Sequence, residues 1–137
     1  MKYYAVIDTN VIVSSMLRHN SIPGTIIDLV LAKLIVPLID EEIINEYYDV
    51  LTRNKFGFEM SDVIKIINDF KANGITLTRE QSIEEFIDED DVVFYEIVMS
   101  ARNTMDAYLV TGNMKHYPVR NYIVTPKEML DIIENNK

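Results

Sequence analysis

Apolar residues recur along the chain at two periods, one typical of buried strands and the other of amphipathic helices. Residues 3–7 combine aromatic and β-branched side chains without a charge, which predicts a buried strand. Similar runs predict strands at residues 34–39, 75–77, 107–110 and 122–124. Helical spacing predicts helices at residues 11–17, 22–34, 40–51, 61–73 and 92–102 and from Pro126 onward. We therefore expect an α/β fold, a three-layer α/β/α sandwich around a mainly parallel sheet of four or five strands.

Two features near the ends of these elements refine the expected topology. Pro37 lies within the second predicted strand, and because proline cannot donate to a strand ladder, we expect it at a strand end or on an edge strand. Thr125, Pro126 and Glu128 form a capping box with proline at the first helical position, which starts the last helix.

The length and composition indicate one domain spanning residues 1–137. A chain of 137 residues is long enough for one substantial core and too short for two. No apolar run approaches the ~20 residues that a membrane span requires, and the first strand begins too early to leave room for a targeting segment. The sequence contains no cysteine, which fits a reducing compartment. We expect a cytoplasmic protein with no membrane partner.

The charge balance restricts the kind of site that the protein can carry. There are 22 acidic and 13 basic residues, a net charge of −9, which argues against broad electrostatic capture of nucleic acid. It does not exclude a nuclease whose acids surround cations. With no cysteine and only two histidines, any metal would be held mainly by oxygen, which favours Mg²⁺ or Mn²⁺.

Three acids lie where the predicted elements converge. Asp8 directly follows the first strand, and open α/β sheets bind ligands outside the carboxyl ends of their strands; the alternative is a plain helix cap. Glu46 borders the apolar face of its helix. Asp90 and Asp91 precede the helix at 92–102, where the helix dipole favours negative charge and one of them is expected to cap. Carboxylates around hard cations can hydrolyse phosphodiesters, because the metal acidifies a bound water and neutralises charge in the transition state.

Four short segments at strand and helix ends carry a family resemblance. They are Val6-Ile7-Asp8-Thr9-Asn10-Val11, the stretch from Glu46 to Arg53, the stretch from Asp88 to Glu96, and the stretch from Tyr108 to Pro118. In this order they resemble PIN-domain ribonucleases over nearly the whole chain, and specifically toxin components of toxin–antitoxin systems. The resemblance implies a Mg²⁺- or Mn²⁺-dependent endoribonuclease that cleaves RNA with a metal-activated water. It also implies an antitoxin partner and a homodimer.

The resemblance assigns roles to individual residues. The catalytic, metal-binding acids are Asp8, Glu46 and Asp91. The supporting residues are Thr9, Asn10, Thr111 and Asn113, and the candidate substrate contacts are His116, Lys115 and Arg53. Asn113 and His116 occupy positions where family members often carry a fourth acid, so we expect one well-bound metal ion and a second recruited only with substrate phosphate.

Two other interpretations remain open at this point. The missing fourth acid and the net charge of −9 also fit a catalytically weak PIN-like module that binds RNA or a protein partner. A phospho-acceptor receiver domain would need an acidic pair after its first strand, and Asp8-Thr9-Asn10 does not supply one.

Overall fold

The computed structural model describes residues 1–79 and 89–136, and five strands and six α-helices lie in this part of the chain. The strands are β1 (Tyr3–Ile7), β2 (Ile35–Ile39), β3 (Ile75–Thr76), β4 (Ala107–Val110) and β5 (Ile123–Val124). The helices are α1 (Thr9–Leu17), α2 (Ile22–Leu31), α3 (Glu41–Leu51), α4 (Met60–Asn73), α5 (Glu89–Ala101) and α6 (Pro126–Asn135), with one 3₁₀ turn at Met114–His116. Residues 84–88 of the acidic stretch before α5 lie outside the described residues.

The strands form one parallel sheet in the order β3-β2-β1-β4-β5. The predicted α/β/α sandwich with a parallel sheet is confirmed, since the six helices flank this sheet. β1 is central, and its last residue, Ile7, is in register with Val110 at the end of β4. The chain order reverses between these two strands, so their carboxyl ends form the edge where α/β folds bind ligands.

The core is continuous from the central strands into the helices. Ala5, Val6 and Ile7 of β1 are completely buried, as β-branched and small residues in a doubly covered parallel sheet should be. On the helical side, the Tyr47 ring packs edge-on against Phe70 at 5.5 Å and lies 6.1 Å from Phe94. These ring contacts join α3 to α4 and α5.

The predicted position of Pro37 is wrong, because β2 is an interior strand. The carbonyl of Ile39 accepts from Leu77 on the β3 side, and strand alternation places Pro37 on that same side. β3 is only two residues long and pairs with β2 from Leu38 onward. At Pro37, β2 therefore has no β3 residue beside it, and the missing N–H of Pro37 breaks no hydrogen bond between these two strands.

Two helix boundaries also differ from the prediction. The helix expected over residues 22–34 ends at Leu31, and Lys33 takes a left-handed conformation with φ of 66° that stops it before β2. The helix expected over residues 92–102 already includes Glu89, so Asp90 and Asp91 lie inside its first turn and do not precede it. Within residues 1–79 and 89–136, each helix is either too short or too polar to cross a membrane.

Candidate active site at the carboxyl edge of the sheet

Asp8 is a buried acid whose carboxylate points away from the helix that it precedes. The residue is 4% exposed and takes the extended backbone of a helix N-cap, yet its side chain makes no capping hydrogen bond to α1. Its Oδ2 accepts from the hydroxyls of Thr111 at 2.9 Å and Tyr117 at 2.8 Å. A plain helix cap therefore does not explain Asp8, whose two side-chain hydrogen bonds both end on Oδ2 and whose carboxylate also interacts with the Asn10 backbone.

The loop after β4 is fixed in one orientation by Asn10. The Asn10 amide oxygen accepts from the Gly112 N–H at 2.9 Å, and its NH₂ donates to the Thr111 hydroxyl at 3.4 Å. The same hydroxyl accepts from the Asn113 N–H at 3.0 Å. Because both acceptor positions of the Thr111 oxygen are then used, its single proton is directed at Asp8.

Asp91 joins Asp8 through two consecutive residues of the 3₁₀ turn region. Asp91 is 8% exposed, and its Oδ2 lies 2.8 Å from Nδ1 of the half-buried His116. The next residue, Tyr117, reaches Asp8. The sequence predicts His116 as a candidate substrate contact, and the structure adds that the 3₁₀ turn directs its ring towards Asp91 at the start of α5.

The electrostatics of this site follow from burial. Burial raises the pKa of Asp8, while hydrogen bonds from Tyr117 and Thr111 and the nearby His116 oppose the rise. Burial also raises the pKa of Tyr117, and the charges of Asp8 and Asp91 raise it further. Tyr117 therefore stays a protonated donor, and it lies in the field of both acids.

Glu46 lies on α3, which borders the site. The hydroxyl of the adjacent residue, Tyr47, donates to the carbonyl of Ile7, one residue before Asp8, and fixes α3 against the end of β1. Glu46 itself is half-buried. Among the described residues, no group of three or more acids and histidines is placed to hold a metal ion. The structure therefore brings Asp8 and Asp91 to one site but does not close a three-carboxylate cluster with Glu46.

The donor set nevertheless suits a hard divalent cation. Asp8 and Asp91 offer buried carboxylate oxygens, which Mg²⁺ and Mn²⁺ prefer. Thr9 directly follows Asp8 in the sequence. Its Oγ1 is buried and has no hydrogen-bond partner among the described residues. A cation would relieve the burial cost of the Asp8 charge, and Asp8 and Asp91 are the two acids at this site that would hold it.

The side chains of the remaining predicted residues, Asn113, Lys115 and Arg53, are exposed. Asn113 is exposed and makes no side-chain cap to the 3₁₀ turn, and Lys115 is exposed as well. Arg53 is exposed and pairs with Asp49 one turn earlier on α3, at 3.1 Å. Arg53 lies just beyond the end of α3, and its ion pair is with that helix.

Sequence reasoning missed two residues and misjudged a third. Tyr117 carries no motif signal of its own, because its hydroxyl reaches an acid 109 positions away. Arg79 also lacks a local signal, because its acid partners Glu96 and Glu42 lie 17 and 37 positions away. Glu96 projects away from the apolar face that the sequence predicts for its helix, which favours a solvated side chain; it is instead 6% exposed, and its carboxylate accepts from Arg79 at 2.8 Å.

Comparisons with known proteins identify the family of the chain. A family model described as PIN domain matches residues 4–115, and the chain belongs to this family. The chain is also 28% identical over 150 residues to the uncharacterized protein MJ1680 of Methanocaldococcus jannaschii, covering 98% of this chain and 94% of that protein. PIN domains are generally nucleases, which indicates a hydrolase that acts on nucleic acids.

Proposed function

We propose that this protein is a Mg²⁺- or Mn²⁺-dependent endoribonuclease. The observation that carries the proposal is the pair of buried carboxylates, Asp8 and Asp91, beside the point where the strand order reverses. PIN domains typically use divalent metals, and these oxygens have the chemistry that such metals require.

Each residue of the site has a distinct task in this proposal. Asp8 and Asp91 hold the cation, and Glu46 joins them from α3. When bound, the cation supplies an acidified water and neutralises charge on the phosphate. Thr111, oriented by Asn10, and Tyr117 both donate to Oδ2 of Asp8, and these two hydrogen bonds would hold its carboxylate in place for the cation.

The biological role that we propose is the toxin of a toxin–antitoxin pair, acting as a cytoplasmic homodimer of one-domain subunits (residues 1–137). The role and the antitoxin partner rest on the resemblance to PIN-domain toxins, and an adjacent antitoxin gene would support them. The dimer is supported by large exposed apolar residues on three helices: Leu17, Ile22, Leu31, Met60 and Ile64. Light scattering that shows a monomer at tens of micromolar would contradict it.

Cleavage of a single-stranded RNA with Mg²⁺, with Mn²⁺ and with excess chelator tests the enzymatic proposal. We expect metal-dependent cleavage that Asp91→Asn abolishes and that Asp90→Asn, an equal change at the exposed neighbouring residue, leaves intact. Equal loss in both variants would contradict the proposed role of Asp91.

One observation favours a second candidate, a catalytically weak PIN-like module that binds RNA or a protein partner. Asp8, Glu46 and Asp91 do not form a three-acid cluster in the described residues. RNA binding without cleavage at any metal concentration would support this candidate.

A further inference from the structure

Arg79, close after β3, binds three carboxylates at the same edge of the sheet as the candidate site. Its Nε lies 3.0 Å from Asp40 Oδ2 and its Nη1 lies 2.8 Å from Glu96 Oε1. Its Nη2 binds Glu42 Oε1. Each of the three nitrogens of the guanidinium therefore has its own acid.

The three acids lie on α3, on α5 and at the junction of β2 with α3. Asp40 follows β2 and caps α3, since its Oδ1 accepts from the Ile43 N–H at 2.8 Å. Glu42 lies in the first turn of α3, and Glu96 lies in the middle of α5. The side chains of Asp40 and Glu96 are 14% and 7% exposed, so solvent screens these contacts less than surface pairs. Arg79 thus cross-links α3 to α5.

This cross-link lies on the two helices that carry two of the candidate metal ligands. Glu46 follows Glu42 by one helical turn on α3, and Asp91 precedes Glu96 on α5. The apolar half of the contact between these helices is the packing of Tyr47 against Phe94. The Arg79 network is its polar half.

We propose that Arg79 is a positioning residue, which fixes the separation between α3 and α5 and thereby holds Glu46 and Asp91 at the spacing needed for the cation. This inference rests on the proposed function. A planar guanidinium can serve three acids from one fixed position, whereas an ammonium is a compact point charge on a flexible stem.

The sign of the effect on metal binding separates positioning from simple electrostatics. Removing the charge of Arg79 makes this edge more negative, so electrostatics alone predicts tighter binding of a cation. Loss of positioning predicts weaker binding. A purely structural role predicts a lower melting temperature with unchanged metal affinity in the folded protein.

The first measurement is calorimetric titration of Mn²⁺ into wild type, Arg79→Met, Arg79→Lys and the control Lys127→Met. Lys127 makes one exposed ion pair on α6, with Asp131, so the control has the same charge change without a cross-link. We expect Arg79→Met to weaken Mn²⁺ binding roughly tenfold, as loss of outer-shell partners typically does. Arg79→Lys should recover only part of the affinity, and Lys127→Met should match wild type. Equal or tighter binding by folded Arg79→Met would overturn the inference.

A second measurement needs no metal and therefore separates this inference from the proposed function. Because the sequence has no cysteine, spin labels can be attached at cysteines replacing exposed Asn45 on α3 and Met99 on α5. We expect a broader or shifted distance distribution in Arg79→Met than in wild type and Lys127→Met. If wild type binds no Mn²⁺, the proposed function fails, and the distances alone then test whether Arg79 fixes the separation between α3 and α5. Unchanged distances in Arg79→Met would overturn that inference. If Arg79→Met does not fold, Arg79→Lys provides the same comparison.

Discussion

Two groups of acids lie at the carboxyl edge of this sheet, and they differ in what balances their charge. Asp40, Glu42 and Glu96 share the permanently charged guanidinium of Arg79. Asp8 accepts from the neutral hydroxyls of Thr111 and Tyr117, and Asp91 lies 2.8 Å from the imidazole of His116. The first group is built to cross-link helices. The second leaves carboxylate charge for a mobile cation, which is the difference expected between structural acids and a metal site.

The largest predicted effect is on catalysis by Asp8→Asn. We expect loss of metal-dependent RNA cleavage, because the substitution removes a charged ligand while Asn still accepts from Thr111 and Tyr117. We expect the fold to persist and, in chelator, the free energy of unfolding to rise by about 1 kcal/mol, since burial raises the pKa of Asp8 in the folded state.

The pH dependence of that gain follows from the direction of the pKa shift. Above the folded pKa of Asp8, its ionised form costs stability; as the pH falls towards about 4, the group protonates in both states and the cost disappears. The stability difference between Asp8→Asn and wild type should therefore narrow on acidification. Chemical unfolding at several pH values measures it, and a widening gap would contradict the predicted direction.

The second effect is on stability, in the group bound by Arg79. We expect Asp40→Ala to lower the free energy of unfolding by about 1–2 kcal/mol, because it removes the α3 cap together with one partner of Arg79. Asp40→Asn, which can still cap, should cost less, and the difference between the two variants isolates the cap. Urea unfolding gives both values. We expect substitution of Asp8 to raise stability and substitution of Asp40 to lower it; an increase in stability for Asp40→Ala would contradict this difference.

The third effect concerns Tyr117. Tyr117→Phe removes one of the two side-chain donors to a buried carboxylate, so we expect a loss of about 1 kcal/mol in chelator and a smaller loss in Mn²⁺. Tyr122→Phe is a matched control, because its hydroxyl contacts only the sulfur of Met99 among the described residues. Equal losses with and without Mn²⁺ would show that Tyr117 does not act through the cation site.

The smallest effect is expected at Asn113. With Asp8, Glu46 and Asp91 as its acids, the site should bind one Mn²⁺ without RNA, and Asn113→Asp should add a second, weaker ion. Calorimetric titration gives the stoichiometry. Two tightly bound ions in wild type, with no change in the variant, would contradict our interpretation of the missing acid.

Short-range features of the sequence predicted the fold and the position of Asp8 in the candidate site. The apolar run at residues 3–7 predicted β1, and its end located Asp8. The interior position of β2 was not predictable from Pro37, because it depends on how far the two-residue β3 extends. Tertiary register, not local pattern, determines that kind of detail.

The partners of the acids were equally inaccessible from local pattern. Tyr117 meets Asp8 across 109 positions, and Arg79 meets Glu42 across 37. Residue type predicted that acids would gather at this edge. Only the folded arrangement shows which of them receive an arginine and which receive hydroxyl donors.

A crystal grown with Mn²⁺ tests the central claim most directly, since anomalous scattering locates the ion among the two groups of acids. The account predicts an ion bound by carboxylate oxygens of Asp8 and Asp91, at about 2.0–2.2 Å, with Glu46 directly or through water. An ion among Asp40, Glu42 and Glu96, or none near Asp8 at saturating Mn²⁺, would contradict it.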